Sequence, residues 1–412
     1  MVWDEAGAKP VILKETEIER MQEMKPTSTT DEARAIMIEF ADQTGLSNDQ
    51  RPPRRYLWTD AFAVCNFLTL YRLTRDEECR RLALDLINQV HAVLGRYHED
   101  DPRIGWISGL DEATGAKHPT AGGLRIGKPL TERKPDEPYD ERSEWDRDGQ
   151  YFHYLTKWMH ALARASAATG EPTYIRWAME LAKAAHAAFI YVPMTGGEKR
   201  MYWKMSIDLS RPLVPSMGLH DPLDAFVTYI ELRACALRHP GGTTLPDLGR
   251  ELAETSAMCE GKDFTTDDPL GIGGLLFDAC RLTQMTGTGD FSAPRLTESL
   301  LRASKYGLDA FLHRGPLHHP ADYRLAFREL GLSIGLRAVE VMLDFMANNR
   351  GLFNDSLFHQ VRDLTGYMSL SRAIESFWRD PAHQRSAAWR AHCDINSVML
   401  ATSLMPEEFL SI

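Results

Sequence analysis

The stretch from Tyr56 to Leu94 constrains the fold of this chain more than any other. It reads YLWTDAFAVCNFLTLYRLT and then RDEECRRLALDLINQVHAVL. The first half is apolar almost all round (Phe62, Val64, Phe67, Leu68, Leu70), the pattern of a helix buried on several sides. In the second half Leu82, Leu86 and Val90 recur at i, i+4 and i+8, while Arg80, Arg81 and Asp85 point elsewhere. A charged turn joins the two. The pattern is that of an αα-hairpin with one inner and one outer helix.

The unit recurs. Thr74 is followed after nine residues by Ala83 and after eight more by His91, and Thr169, Ala178 and His186 keep the same intervals. Asp60-Ala61-Phe62 returns as Asp224-Ala225-Phe226, and a fainter copy surrounds Thr283 and Thr286. Repeats of this kind bury each other's apolar faces. About twelve helical segments alternate along the chain, long polar loops precede the apolar ones, and no alternating strand pattern stands out. Six inner and six outer helices predict an all-α fold, an (α/α)6 toroid whose long loops gather on the inner-helix N-terminal face. Residues 30–412 are expected to form this single domain, with 1–29 as an N-terminal arm. Within it, the Gly- and Pro-rich stretch 98–147 is expected to be a folded lid or pocket wall, because Trp106, Ile126, Tyr139 and Trp145 punctuate it.

Composition narrows the function. A net charge of −11 argues against a general nucleic-acid or anionic-membrane surface. No apolar run reaches the length of a membrane span, and the acidic start has no signal-like apolar core. The six cysteines form no CxxC pair and read as buried thiols, so a cytoplasmic location is expected. No metal and no cofactor are expected, since HExxH, Cys/His ligand spacing and GxxxxGK are missing, and no GxSxG nucleophile elbow occurs. The glycines of GIGG (271–274) are read as allowing close helix packing or the close approach of a substrate.

In such a toroid, residues at the inner-helix starts converge on one funnel. Asp148, in the setting EWDRDGQYFHY, is expected to be the general acid/base, with Asp60 or Asp224 as its carboxylate partner. Substrate contacts are expected from Arg55, Trp58, Trp145, Asp146, Gln150, Tyr151, His220, Asp221, His319, Tyr323, Arg324, Trp389 and His392. Aromatic faces stack on sugar C–H surfaces, and Asp and Arg bond hydroxyls or a carboxylate. Each such Asp has a competing role as a helix cap. His153 and His160 read as packing residues. A second mechanism uses His220 with His392 or His319 as general acid and base in a cofactor-free epimerisation. A third reading is a non-catalytic toroid that binds a glycan or a protein.

YLWTDAFAVCNFLTLYRLTRDEECRRLAL resembles the repeated hairpin of the six-hairpin glycosidase-like superfamily. There, W-x-x-G/A and an apolar residue at an inner-helix start lead to an LYxLTGDExYxxxA turn. The resemblance, which extends to unsaturated uronyl hydrolases and N-acylglucosamine 2-epimerases, implies the toroid and a small carbohydrate as substrate; the paired carboxylates make a glycoside hydrolase the favoured expectation. It supplies no complete catalytic motif.

Overall fold

The computed structural model describes residues 28–48, 50–239 and 245–412. The expected arm therefore lies, for residues 1–27, outside the described residues. Ser28 caps the first helix, its Oγ accepting from the Asp31 amide.

The long helices are α1 (Thr29–Gln43), α2 (Leu57–Thr74), α3 (Glu77–Leu94), α4 (Phe152–Thr169), α5 (Pro172–Phe189), α6 (Asp221–Arg238) and α7 (Gly249–Cys259). They continue with α8 (Pro269–Thr288), α9 (Pro294–Arg314), α10 (Ala326–Asn348), α11 (Asp355–Leu364), α12 (Met368–Arg379) and α13 (Cys393–Leu404). Helices α2, α4, α6, α8, α10 and α13 each pack on the next, and α13 packs back on α2. That closes the inner ring. Outside it lie α1, α3, α5, α7, α9 and the two-piece α11–α12, so the fold is the expected (α/α)6 toroid. The sixth hairpin is completed across the chain, with α1 standing as the outer partner of α13.

The inner and outer sequence patterns have their physical counterpart. Leu57 to Leu70 of α2 are all buried, whereas α3 buries one stripe from Cys79 to Leu94. The repeated histidines are buried on outer helices. His91 accepts a hydrogen bond from Trp158 Nε1 at 3.1 Å, and burial holds its pKa down to about 3. His186 faces Glu254 at 2.8 Å. At the turn after α2, Arg75 adopts a left-handed φ of 59°, whereas Gly170 and Gly289 occupy the same position after α4 and α8.

Helices α8 and α10 approach most closely because of glycine. A Cβ on Gly273 would meet the Gly331 carbonyl oxygen at 2.1 Å, while one on Gly274 would meet nothing within 4 Å. GIGG therefore serves both packing and an open space.

The two long connections are folded. Short strands β1 (Gln150–Tyr151), β2 (Ile190–Tyr191), β3 (Arg200–Met201), β4 (Lys204–Met205) and β5 (Pro212–Val214) form a β1-β4-β5 sheet and a β2-β3 pair, all antiparallel. These strands are too short to leave a periodic trace in the sequence. The stretch 98–147 is tied down by Arg103, which bonds Asp101, Glu132 and Asp208. It forms a wall of the funnel described next.

Candidate active site

The funnel has two connected chambers on the inner-helix N-terminal face. The outer one, about 800 Å³, is lined by residues of the 127–146 wall and by the starts of α2, α10 and α13. The inner one, about 350 Å³, descends among α2, α4, α6, α8 and α10. Trp58, His153, Trp203 and Leu270 line both and mark the neck between them.

The inner chamber brings together Trp58, His153, His220, Asp221, Asp224 and Asp268 from the inner-helix starts, with Lys157, Trp203 and Asp278 beside them. Asp221 opens α6, and its Oδ1 lies 4.0 Å from His153 Nδ1. Its Oδ2 is buried and has no hydrogen-bond partner among the described residues. Burial, with the repulsion of Asp224 added, pushes the Asp221 carboxyl up to about 7. It is therefore held partly protonated near neutrality.

Asp224 is its opposite. Lys157 Nζ contacts both of its oxygens at 2.8 Å, Thr156 Oγ1 donates at 2.5 Å and Arg281 Nη2 at 3.2 Å. Burial alone would raise this carboxyl, but Lys157 and Arg281 more than compensate and hold it down to about 2. Arg281, fully buried on α8, also bonds Glu231 and Asp278. Burial raises the Asp278 pKa despite that arginine. Two of these carboxyls thus stay protonatable while a third is locked as an anion.

The imidazoles of the inner chamber are defined by their partners. His220 has its Nε2 2.8 Å from the Phe264 carbonyl, which only accepts, so Nε2 carries a hydrogen and the ring is fixed in place by that bond. His153 is kept neutral by burial, its pKa lowered to about 4. Around it stand Trp58, Tyr151, Tyr154 and Trp203, with ring centroids 4.8–6.4 Å away.

The outer chamber holds Arg55, Asp60, Trp145, Asp146 and His392, together with Arg54, Lys128, Arg328, Arg390 and Asp394. Asp60 Oδ2 accepts from the Tyr56 amide at 2.9 Å, a helix-capping contact. Burial pushes its pKa up to about 6, opposed by Arg55 at 3.5 Å.

Several expected residues lie elsewhere. Asp148, the expected acid/base, lines neither chamber. Its Oδ2 is bonded by Arg125 at 2.9 Å, and its Oδ1 accepts from the Gly127 and Gly149 amides, both at 3.0 Å. It is a buried staple between the 98–147 wall and the entry to α4, with no oxygen left for substrate. Gln150 is likewise spent on backbone, accepting from Leu124 and donating to Gly122 and Ile207. Tyr151 is buried behind the neck, where its ring backs Trp145 and Trp203. Arg324 pairs with Glu329 and stacks over Phe377, and Trp389 stacks on Trp378. His319 and Tyr323 sit on exposed turns away from both chambers.

The unforeseen members left one signal. Asp278 and Arg281 interrupt the apolar run GIGGLLFDACRL at i and i+3, and charge inside an inner helix faces the axis or a buried partner. His153, read as packing, is the second residue of α4 and lines the neck. Trp203 comes from a loop and had no periodic mark.

The six closed hairpins and the two-chambered funnel define an (α/α)6 toroid. Among solved structures it is similar to a family 76 glycoside hydrolase from a bovine Bacteroides thetaiotaomicron strain, with 11% identity and a TM-score of 0.50, covering 93% of this chain and 78% of that one. It is also similar to cellobiose 2-epimerase from Spirochaeta thermophila, with 12% identity and a TM-score of 0.48, covering 93% and 99%. At 11% identity the likeness to the glycoside hydrolase speaks for the fold alone. No protein-family model matches the sequence, and no curated protein does.

Proposed function

We propose that the domain 30–412 is a carbohydrate-active enzyme that works by acid–base catalysis in the inner chamber, as a glycoside hydrolase with Asp221 as proton donor. One observation carries this reading: Asp221 lines the inner chamber as a buried carboxyl, one oxygen without a partner among the described residues and its pKa pushed up to about 7. Such an acid can deliver its proton to a glycosidic oxygen as the C–O bond breaks. Asp278 is the second titratable carboxyl of the chamber and the candidate to activate water. Asp224, saturated by Lys157, Thr156 and Arg281, supplies fixed negative charge where positive charge develops on the sugar ring. Trp58 and Trp203 offer aromatic faces at the neck, and the arginines of the outer chamber suit hydroxyls or a carboxylate. Cys393 is exposed, against the expectation of six buried thiols, and the other five, free and buried, fit a reducing, cytoplasmic setting.

A second reading, sugar epimerisation, draws on His220 and His153. Both line the inner chamber, His153 held neutral by burial and His220 with its Nε2 committed to the Phe264 carbonyl. The test is a panel of glycosides, unsaturated uronides and free sugars, assayed with wild type, Asp221→Asn and His220→Gln. Hydrolysis predicts new reducing ends, lost in Asp221→Asn. Epimerisation predicts isomers without cleavage, lost in His220→Gln. No turnover across the panel overturns both.

A further inference from the structure

A ring of six helices leaves its axis to be filled, and here the chain fills it with its own segment 406–410. Beyond α13 the backbone turns back and enters the axis between the C-terminal halves of the inner helices. The Glu408 amide donates to Thr69 Oγ1 at 3.1 Å, thirteen residues into α2. The Glu408 carboxylate is gripped by Arg164 at 3.0 Å and Arg72 at 3.1 Å. Gln284 Nε2 donates to the Leu410 carbonyl at 2.7 Å, and His160 Nε2 to that of Phe409 at 3.0 Å. Five side chains from three inner helices thus anchor a stretch that is a single turn, closed by the Leu410 amide on the Pro406 carbonyl at 2.8 Å.

The segment ends its ascent in an aromatic stack. The Phe409 ring lies between Phe62 and Phe277, with centroids 4.4 and 4.5 Å away and interplanar angles of 19° and 21°. All three rings line the inner chamber. Phe62 is the sixth residue of α2 and Phe277 the ninth of α8, so the stack lies about 8–12 Å below the helix starts. The substrate's floor is therefore built by Phe409, at the opposite end from the loop-lined mouth. At about 350 Å³ the space above it is at the small end for a ligand site.

We propose that segment 406–410 is an internal plug that makes the inner chamber a blind pocket, with Phe409 as the residue that sets its depth and so its specificity. The substrates are then free sugars or the terminal sugar of a chain, because no polymer can thread past the stack. This rests on the carbohydrate reading above.

The experiment has two arms, run on the full chain with Phe409→Ala and, as the conservative variant, Phe409→Leu. The first arm compares kcat/KM on a series of glycosides whose terminal sugar carries increasingly bulky substituents. Wild type should release only terminal units, and Phe409→Ala should shift preference toward the bulkier members by about tenfold. Internal cleavage by wild type, or an unchanged preference in Phe409→Ala, overturns the proposal. The second arm needs no substrate. Cys65 and Cys280 are buried on α2 and α8, where Thr69 and Gln284 hold the plug. Their alkylation, mapped by peptide mass, should accelerate about tenfold in Phe409→Ala, while Cys79 on α3 keeps its rate. Equal rates for all three would overturn the plug. Inactivity of wild type on every sugar, with the thiol pattern as expected, would sink the carbohydrate reading and leave the plug standing.

Discussion

Replacing Asp221 by Asn should stabilise the protein at mildly alkaline pH while disabling it. In the fold the carboxyl is raised from an ordinary 3.8 to about 7, first by burial and then by Asp224. A carboxyl raised in this way favours folding fully below about pH 4 and loses that contribution as pH climbs through its folded value. Over the whole window the loss is on the order of 4 kcal/mol, and between about pH 5 and pH 8 about 3 kcal/mol. Water entering the chamber screens the charge and makes these upper figures. Asparagine keeps the shape and cannot ionise. The assay is urea unfolding, followed by tryptophan fluorescence, of both proteins at about pH 5 and pH 8. The variant's advantage should grow with pH by up to that amount. An advantage that is the same at both values would show that Asp221 is not an isolated buried acid, and the reasoning for its role would fall with it.

Other consequences are open to equally direct checks. If Asp221 donates the proton, kcat/KM should fall as pH rises through about 7, read from a pH–rate profile on any hydrolysed glycoside. Gly273→Ala should cost about 1–3 kcal/mol or more by thermal unfolding, because its Cβ would collide with the Gly331 backbone. Arg75→Gly should stabilise by about 0.5–1 kcal/mol, since glycine adopts the left-handed φ of 59° at less cost than arginine. Trp203→Ala should weaken substrate binding by about 1 kcal/mol, seen as a raised KM with the fold retained.

The fold was legible in the sequence because toroid helices carry two distinct burial patterns. An inner helix such as α2 is buried all round and an outer one such as α3 on one stripe, so the alternation itself encodes the architecture. The site was half legible for the same reason. Inner-helix starts do converge, which placed Asp60, His220, Asp221, Asp224 and His392 on the funnel. What sequence could not separate was a polar residue facing the funnel from one that fastens a loop. Asp148 and Gln150 stand at the exit of the long wall, and that wall needs partners for its own amides and for Arg125. Backbone demand of this kind has no periodic signature. Lys157 and Arg281 were hidden for another reason: their function is to hold Asp224 as an anion, which only their distances reveal.

The measurement that bears most directly on this account sets Asp221→Asn beside Asp148→Asn on the same glycoside panel, with circular dichroism to normalise for folded protein. Removing the Asp148 charge strands buried Arg125 and should cost on the order of 3–5 kcal/mol of stability, yet leave turnover per folded molecule close to wild type. Asp221→Asn should keep its fold and lose about 100-fold or more in kcat. The reverse pattern, with Asp148→Asn folded and inactive and Asp221→Asn active, would place the chemistry outside the inner chamber and contradict the account.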